Sequence, residues 1–183
     1  PGQQGGKAVA EILFGDYNPA GKLPVTFYRN VSQLPDFEDY NMAGRTYRYM
    51  QDVPLFPFGY GLSYTTFGYG KTVLDKNELT AGQSLKLTVP VTNTGKRNGE
   101  EVVQVYLRKQ GDAEGPIKTL RAFKRVSIPA GKTVNVEFDL KDKELEWWDD
   151  QSNTVRVCPG NYDIMVGGSS KEENLQRTTI AIK

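Results

Sequence analysis

A mainly β fold, an immunoglobulin-like (fibronectin type III-like) β-sandwich preceded by an aromatic-rich arm with one short helix, is what three features of the sequence predict. Apolar and polar residues alternate with period two between turn signals from residue 69 to residue 183. About seven short strands fit into this stretch, the spacing of a two-sheet sandwich. Cys158 is the only cysteine, so no disulfide can bridge the sheets, which favours the fibronectin-like variant over the antibody type.

Taken in order, Lys7 to Phe14 places Ala8, Val9, Ile12 and Leu13 on one stripe at helical spacing, with Gly15 positioned to stop the helix. Asp16 to Gly21 is a turn cluster, Leu23 to Tyr28 reads as extended, and the stretch onward to Tyr64 is irregular. A loop of that length rarely stands alone. Its Leu34, Phe37, Tyr40, Tyr47, Tyr49, Leu55, Phe56, Phe58, Tyr60 and Tyr64 need more apolar surface than one small helix offers, so their partner is expected upstream. In the sandwich region Leu85, Leu87, Val89 and Val91 face one way and Lys86, Thr88 and Thr92 the other, and Asn93-Thr94-Gly95 closes the strand. Val103, Val105 and Leu107 repeat the pattern, as do Val134, Val136, Phe138 and Leu140 after the turn Pro129-Ala130-Gly131. Tyr162, Ile164 and Val166 follow Pro159-Gly160, and Ile180 and Ile182 supply a last strand. Between Leu120 and Ile128 the alternation slips, which predicts a bulge or a strand that changes sheets.

Composition narrows the chemistry. Lys and Arg total 23 against 22 acids over 183 residues, so no long-range field points to nucleic acid or to an anionic membrane. No run approaches the roughly 18 apolar residues of a membrane helix, and no basic-then-apolar leader opens the chain. Histidine is absent, which removes a His general base and any His-type zinc site, and no cofactor or metal site is read. The chain opens on Pro1 in a sequence that reads like a domain interior, so an N-terminal part is expected to precede it.

Several motifs invite a functional reading and resist it. Pro1 to Ala8 has the glycines and lysine of a phosphate-binding loop, but Pro1 stands where a glycine is required and Ala8 where a hydroxyl is, leaving a helix entry. Asp36, Glu38 and Asp39 form an acidic knot, yet glycoside hydrolysis needs two carboxylates tuned by burial, which a polar loop seldom gives. The pairs Glu100-Glu101 and Asp149-Asp150 are weaker candidates still. Trp147 or Trp148 could present a ring to a sugar; neighbours in an extended chain point to opposite sides, and Trp148 is read as the core residue. Cys158 reads as a small buried apolar group. Arg45-Thr46-Tyr47-Arg48-Tyr49 packs two guanidinium groups and two rings into five residues, which suits a clamp at a domain interface. Asn30-Val31-Ser32 matches the glycosylation sequon, a pattern too short to say much.

In sequence order, Pro1-Gly2-Gln3-Gln4-Gly5-Gly6, then Ala8 to Pro24, then Pro57-Phe58-Gly59-Tyr60-Gly61-Leu62-Ser63-Tyr64-Thr65-Thr66-Phe67 form a specific signature, joined by Leu120 to Val126 and Pro159-Gly160-Asn161-Tyr162. Together they resemble the C-terminal part of the family 3 glycoside hydrolases, the β-glucosidase and β-xylosidase family. The resemblance spans nearly the whole chain, with Gln4 a departure from the Glu of many relatives. It implies that residues 1–68 are the end of an α/β sandwich domain with a connecting arm, and residues 69–183 a fibronectin type III-like domain. It also implies that both catalytic carboxylates lie upstream, so no catalytic, substrate-binding or metal residue is assigned here. Gly44 to Tyr49 resembles the arm of xylosidase-like members.

The expected role is the non-catalytic structural portion of a retaining, exo-acting β-glycosidase, whose upstream catalytic domains act on oligosaccharides. The residues expected to pack between domains are Arg45, Tyr47, Arg48, Tyr49, Phe58, Tyr60 and Tyr64. The competing expectation is a carbohydrate-binding or adhesive module. The resemblance further implies a periplasmic or secreted parent.

Overall fold

The computed structural model describes residues 2–183; Pro1, first residue of the glycine-rich helix entry, lies outside them. Helix α1 (Gly5–Phe14) ends where the sequence predicts, at Gly15. There a φ of 82° is the left-handed conformation that glycine adopts without strain, and the Gly15 N–H closes on the carbonyl of Ile12. The apolar stripe is uncovered, with Val9, Leu13 and Phe14 all exposed.

The run from Leu23 to Tyr28, expected to be extended, bends at Pro24 and Val25 and doubles back on residues 55–60, with a single bridge from Phe27 to Phe56. The Leu23 N–H bonds the Tyr60 carbonyl at 2.8 Å, and Phe27 bonds Phe56 at 2.9 Å. The long stretch is therefore less irregular than its sequence suggests, because it closes on its own start and carries a short helix, α2 (Thr46–Tyr49), on the way.

Eleven strand segments follow. β1 (Phe67–Tyr69), β2 (Val73–Leu74) and β3 (Glu78–Leu79) are short, while β4 (Leu85–Asn93), β5 (Gly99–Lys109), β6 (Thr119–Ile128) and β7 (Thr133–Leu140) are long. After the helical turn α3 (Asp142–Leu145) come β8 (Trp147–Asp149), β9 (Thr154–Arg156), β10 (Gly160–Gly167) and β11 (Gln176–Ile182). In one sheet β4 pairs with β7 on one side and with β1 and β2 on the other. The second sheet runs β3-β11-β10-β5-β6, antiparallel except where β3 joins β11, and β8 and β9 form a separate hairpin. Pro90 lies inside β4 without costing a ladder bond. Its carbonyl accepts the Gly70 N–H at 2.8 Å, so its missing donor faces the break between β1 and β2.

The predicted alternation sets the core. Leu85, Leu87, Val89 and Val91 meet Val103, Val105 and Leu107 and also Tyr162, Ile164 and Val166, all buried. The slip after Leu120 is a bulge: Val105 pairs with Ala122 and Tyr106 with Leu120, leaving Arg121 as the extra residue, and β6 stays in its sheet.

The reading of the two tryptophans is reversed. Trp147 is 3% exposed and Trp148 49% exposed. The cause is local: α3 commits Leu145 to the core, and the extended chain after it turns Trp147, two residues on, to the same side and Trp148 away. Trp147 then donates its indole N–H to Asp112 at 2.6 Å, and Cys158 is buried beside it, as its sequence context suggests.

Asn93 is fully buried and fully satisfied. Its amide donates to the carbonyls of Arg97 at 2.7 Å and Ile128 at 2.9 Å, and accepts from the Thr65 hydroxyl at 2.5 Å and the Gly95 N–H at 3.1 Å. Replacing Asn93 with Ala is expected to lower unfolding free energy in urea by about 2–4 kcal/mol, since it strands buried partners as well as removing bonds.

In the hairpin, Asp149 accepts from the Ser152 hydroxyl at 2.7 Å and from Arg156 Nε at 2.6 Å, which pushes its carboxyl down to about 2. A depressed carboxyl stabilises the fold above the ordinary carboxylate range and ceases to do so as pH falls through its folded value. An NMR titration should place the Asp149 midpoint near that value, and Asp149→Asn should remove the acid sensitivity of hairpin amide protection.

Candidate interdomain interface

Gln104 and Tyr106 of β5 point away from the sandwich core, yet both are buried. The arm covers them. Tyr47 meets the Tyr106 ring edge-on at 5.9 Å and stacks on Phe58 at 4.3 Å, so three rings form one layer over the outer face of the sheet. Backbone bonds fix that layer: the Ser170 N–H donates to the Phe58 carbonyl at 2.9 Å and the Ile117 N–H to the Arg48 carbonyl at 2.6 Å. The Leu120 N–H donates to the Tyr47 hydroxyl at 3.1 Å. Gly59 crosses directly above Gln104, where a Cβ would stand 2.3 Å from Oε1. Gln104 cannot yield, since Tyr106 OH donates to its Oε1 and its own Nε2 donates to the Gly168 carbonyl, both at 2.6 Å.

The other interface candidates divide by partner. Arg45 ties the loop before it, donating from Nε to Asn41 at 2.8 Å and from its terminal nitrogen to the Asp39 carbonyl. The Arg48 guanidinium lies over the Tyr49 ring at 5.6 Å, and its Nε is buried without a partner. Burial, followed by the nearby charge of Arg48, holds the Arg121 guanidinium below its ordinary pKa. Tyr60 leans on Phe56 at 5.0 Å, within the arm. Tyr64 joins the arm to α1, its hydroxyl donating to the Ile12 carbonyl at 2.6 Å and its ring lying under Arg97 at 5.4 Å.

The expectation that these aromatics need an upstream partner is thus corrected for Tyr47 and Phe58, which find theirs on this chain's own β5. It stands unmet for Phe37 and Tyr40, which are 93% and 91% exposed, and for the apolar face of α1. The acidic knot lies in the same exposed turn. Asp39 accepts from the Asn41 backbone at 2.9 Å and side chain at 2.7 Å, which holds its carboxyl below the ordinary value, as a turn residue's bonds do.

Glu101, which the sequence offers only as half of a weak acidic pair, has a structural role instead. It is 5% exposed and accepts from Lys22 of the arm at 3.1 Å and from the Tyr69 hydroxyl at 3.0 Å, beside an open cleft of about 500 Å³. Burial, then the Glu101 charge, pushes the Tyr69 phenol far above its ordinary pKa, so it remains a donor. The signal was present: Glu101 shares the register of Val103, Val105 and Leu107, a carboxylate on a face otherwise reserved for the core.

Residues 1–64 match the glycosyl hydrolase family 3 C-terminal domain, and residues 101–170 match the fibronectin type III-like domain. The chain belongs to the C-terminal portion of glycoside hydrolase family 3. A xylan 1,4-β-xylosidase of Xylanibacter ruminicola is 53% identical over 182 residues, covering 100% of this family 3 portion and 21% of that protein. A β-xylosidase of Formosa agariphila is 42% identical, with 100% and 26% covered. The solved structure of a β-glucosidase from Erythrobacter marinus superposes with a TM-score of 0.84 at 42% identity, over 100% of this chain and 24% of that one. The chain therefore spans about a quarter of the length of the relatives it matches.

Replacing Glu101 with Ala leaves the Lys22 charge in a half-closed site and should cost about 3 kcal/mol, whereas Lys22→Met combined with Glu101→Leu should recover most of that loss. Urea unfolding of the two variants beside the parent reads the difference.

Proposed function

We propose that this chain is the non-catalytic structural portion of a retaining, exo-acting β-glycosidase that removes terminal β-linked sugars. Residues 69–183 form a brace, and residues 1–68 belong to the domain that it braces. The observation that carries the reading is the uncovered apolar surface of α1, with Phe37 and Tyr40 beside it in the sequence of the arm. Burying each such side chain gains roughly 1.5–3 kcal/mol, a driving force for docking onto upstream catalytic domains. The retaining reaction needs two carboxylates about 5 Å apart. Of the acid pairs in the sandwich, Glu100 is engaged by Arg125, Glu101 by Lys22 and Asp149 by Arg156, and the parent's catalytic pair is assigned to the upstream domains.

The sequence Gly44 to Tyr49 and the names of two relatives favour β-xylosides over β-glucosides. A carbohydrate-binding role is favoured by one separate observation, the half-exposed ring of Trp148.

Release of nitrophenol from aryl β-xyloside and aryl β-glucoside, by this chain and by the same chain with its upstream region restored, tests the proposal. Turnover is expected only from the longer protein, faster on the xyloside. Hydrolysis by the 183 residues alone would sink it and make Asp36, Glu38 and Asp39 the first residues to replace.

A further inference from the structure

The β8–β9 hairpin shares no ladder with either sheet: Trp147 anchors it in the core, and its outer side carries an apolar strip. Trp148 pairs across the hairpin with Val155, which is 56% exposed, and every residue of β9 is exposed. The Trp148 ring is held in place, since its indole N–H donates to Asp150 Oδ1 at 2.8 Å. Its support is equally fixed. Asp149 gathers the Ser152 hydroxyl, the Gln151 N–H and the Arg156 guanidinium, so those two charges neutralise each other and the Asp150 carboxylate is left at the ring edge as a further acceptor. Gln151, Asn153 and Thr154 at the turn add exposed, uncharged hydrogen-bonding side chains.

An exposed aromatic face, with the Asp150 carboxylate at its edge and amides and hydroxyls around it, matches one class of ligand: a carboxylate accepts from sugar hydroxyls and repels anionic polymers. A sugar ring has an apolar face to stack on an indole and hydroxyls at its edge to reach the rim. The dimensions point the same way. Two three-residue strands, each about 10 Å long and about 5 Å apart, offer a face on the order of 100 Å², far short of the roughly 500 Å² per partner that a stable protein interface buries, but enough for a short stretch of saccharide chain. We propose that the β8–β9 hairpin is a non-catalytic platform that binds neutral β-linked polysaccharide, with Trp148 as its stacking surface.

The test uses the chain with its upstream region restored, incubated with insoluble xylan. Trp148→Ala is expected to lower the bound fraction at least fivefold, while Trp148→Phe keeps most of it. Turnover of a soluble aryl β-xyloside and the thermal midpoint should stay within twofold and a degree or two of the parent protein, because Trp148 is half exposed and lies outside the core cluster. Unchanged binding in Trp148→Ala, or a parent protein that does not adhere to xylan, overturns the proposal. So does a joint loss of binding, turnover and thermal stability, which would make Trp148 a packing residue. The soluble assay reads the glycosidase assignment separately, so adhesion can fail while that assignment stands.

Discussion

The five-stranded sheet has two faces to keep out of water, and the sandwich covers only one of them. Tyr106 and Gln104 sit on the other, and burying a large aromatic there is favourable only if its polar atoms find partners. The arm meets both needs at once. Tyr47 and Phe58 supply apolar area, while Gln104, the Gly168 carbonyl and the Tyr106 hydroxyl satisfy one another beneath it. The doubled-back run at residues 55–60 carries Phe58 to its place in that layer.

Polar seams then fix what the aromatic layer brings together. Lys22 and Glu101 close one edge of the arm against β5, and Thr65 and Asn93 close the other where the arm enters the sandwich. A buried ion pair adds little net stability relative to apolar residues of the same size. Its value here lies in register, because a hydrophobic layer alone tolerates sliding and a charge paired at 3.1 Å does not.

The sandwich was legible because its strands alternate cleanly, and a period-two pattern with one buried face leaves few options for Leu85 to Val91 or Tyr162 to Val166. The bulge at Arg121 was legible as a fault in that same pattern. What escaped was non-local. Nothing in the neighbourhood of Tyr47 says that its partner is a tyrosine on β5, and nothing beside Trp148 says that α3 has already assigned the inward side to Leu145 and Trp147. Among candidate residues, the clamp Arg45 to Tyr49 was visible as an unusual cluster, whereas Glu101 was visible only once its parity with Val103 was taken seriously.

The crossing of Gly59 over Gln104 also bears on how such chains can be recombined. With no room for a Cβ at that point and no freedom for the glutamine below it, the arm and the sheet form a matched lock rather than two interchangeable parts. A chimera joined at the start of β1 would set one family member's arm on another's β5 and would need both halves of the lock from the same parent. The unit to exchange is therefore the sandwich together with the arm that precedes it.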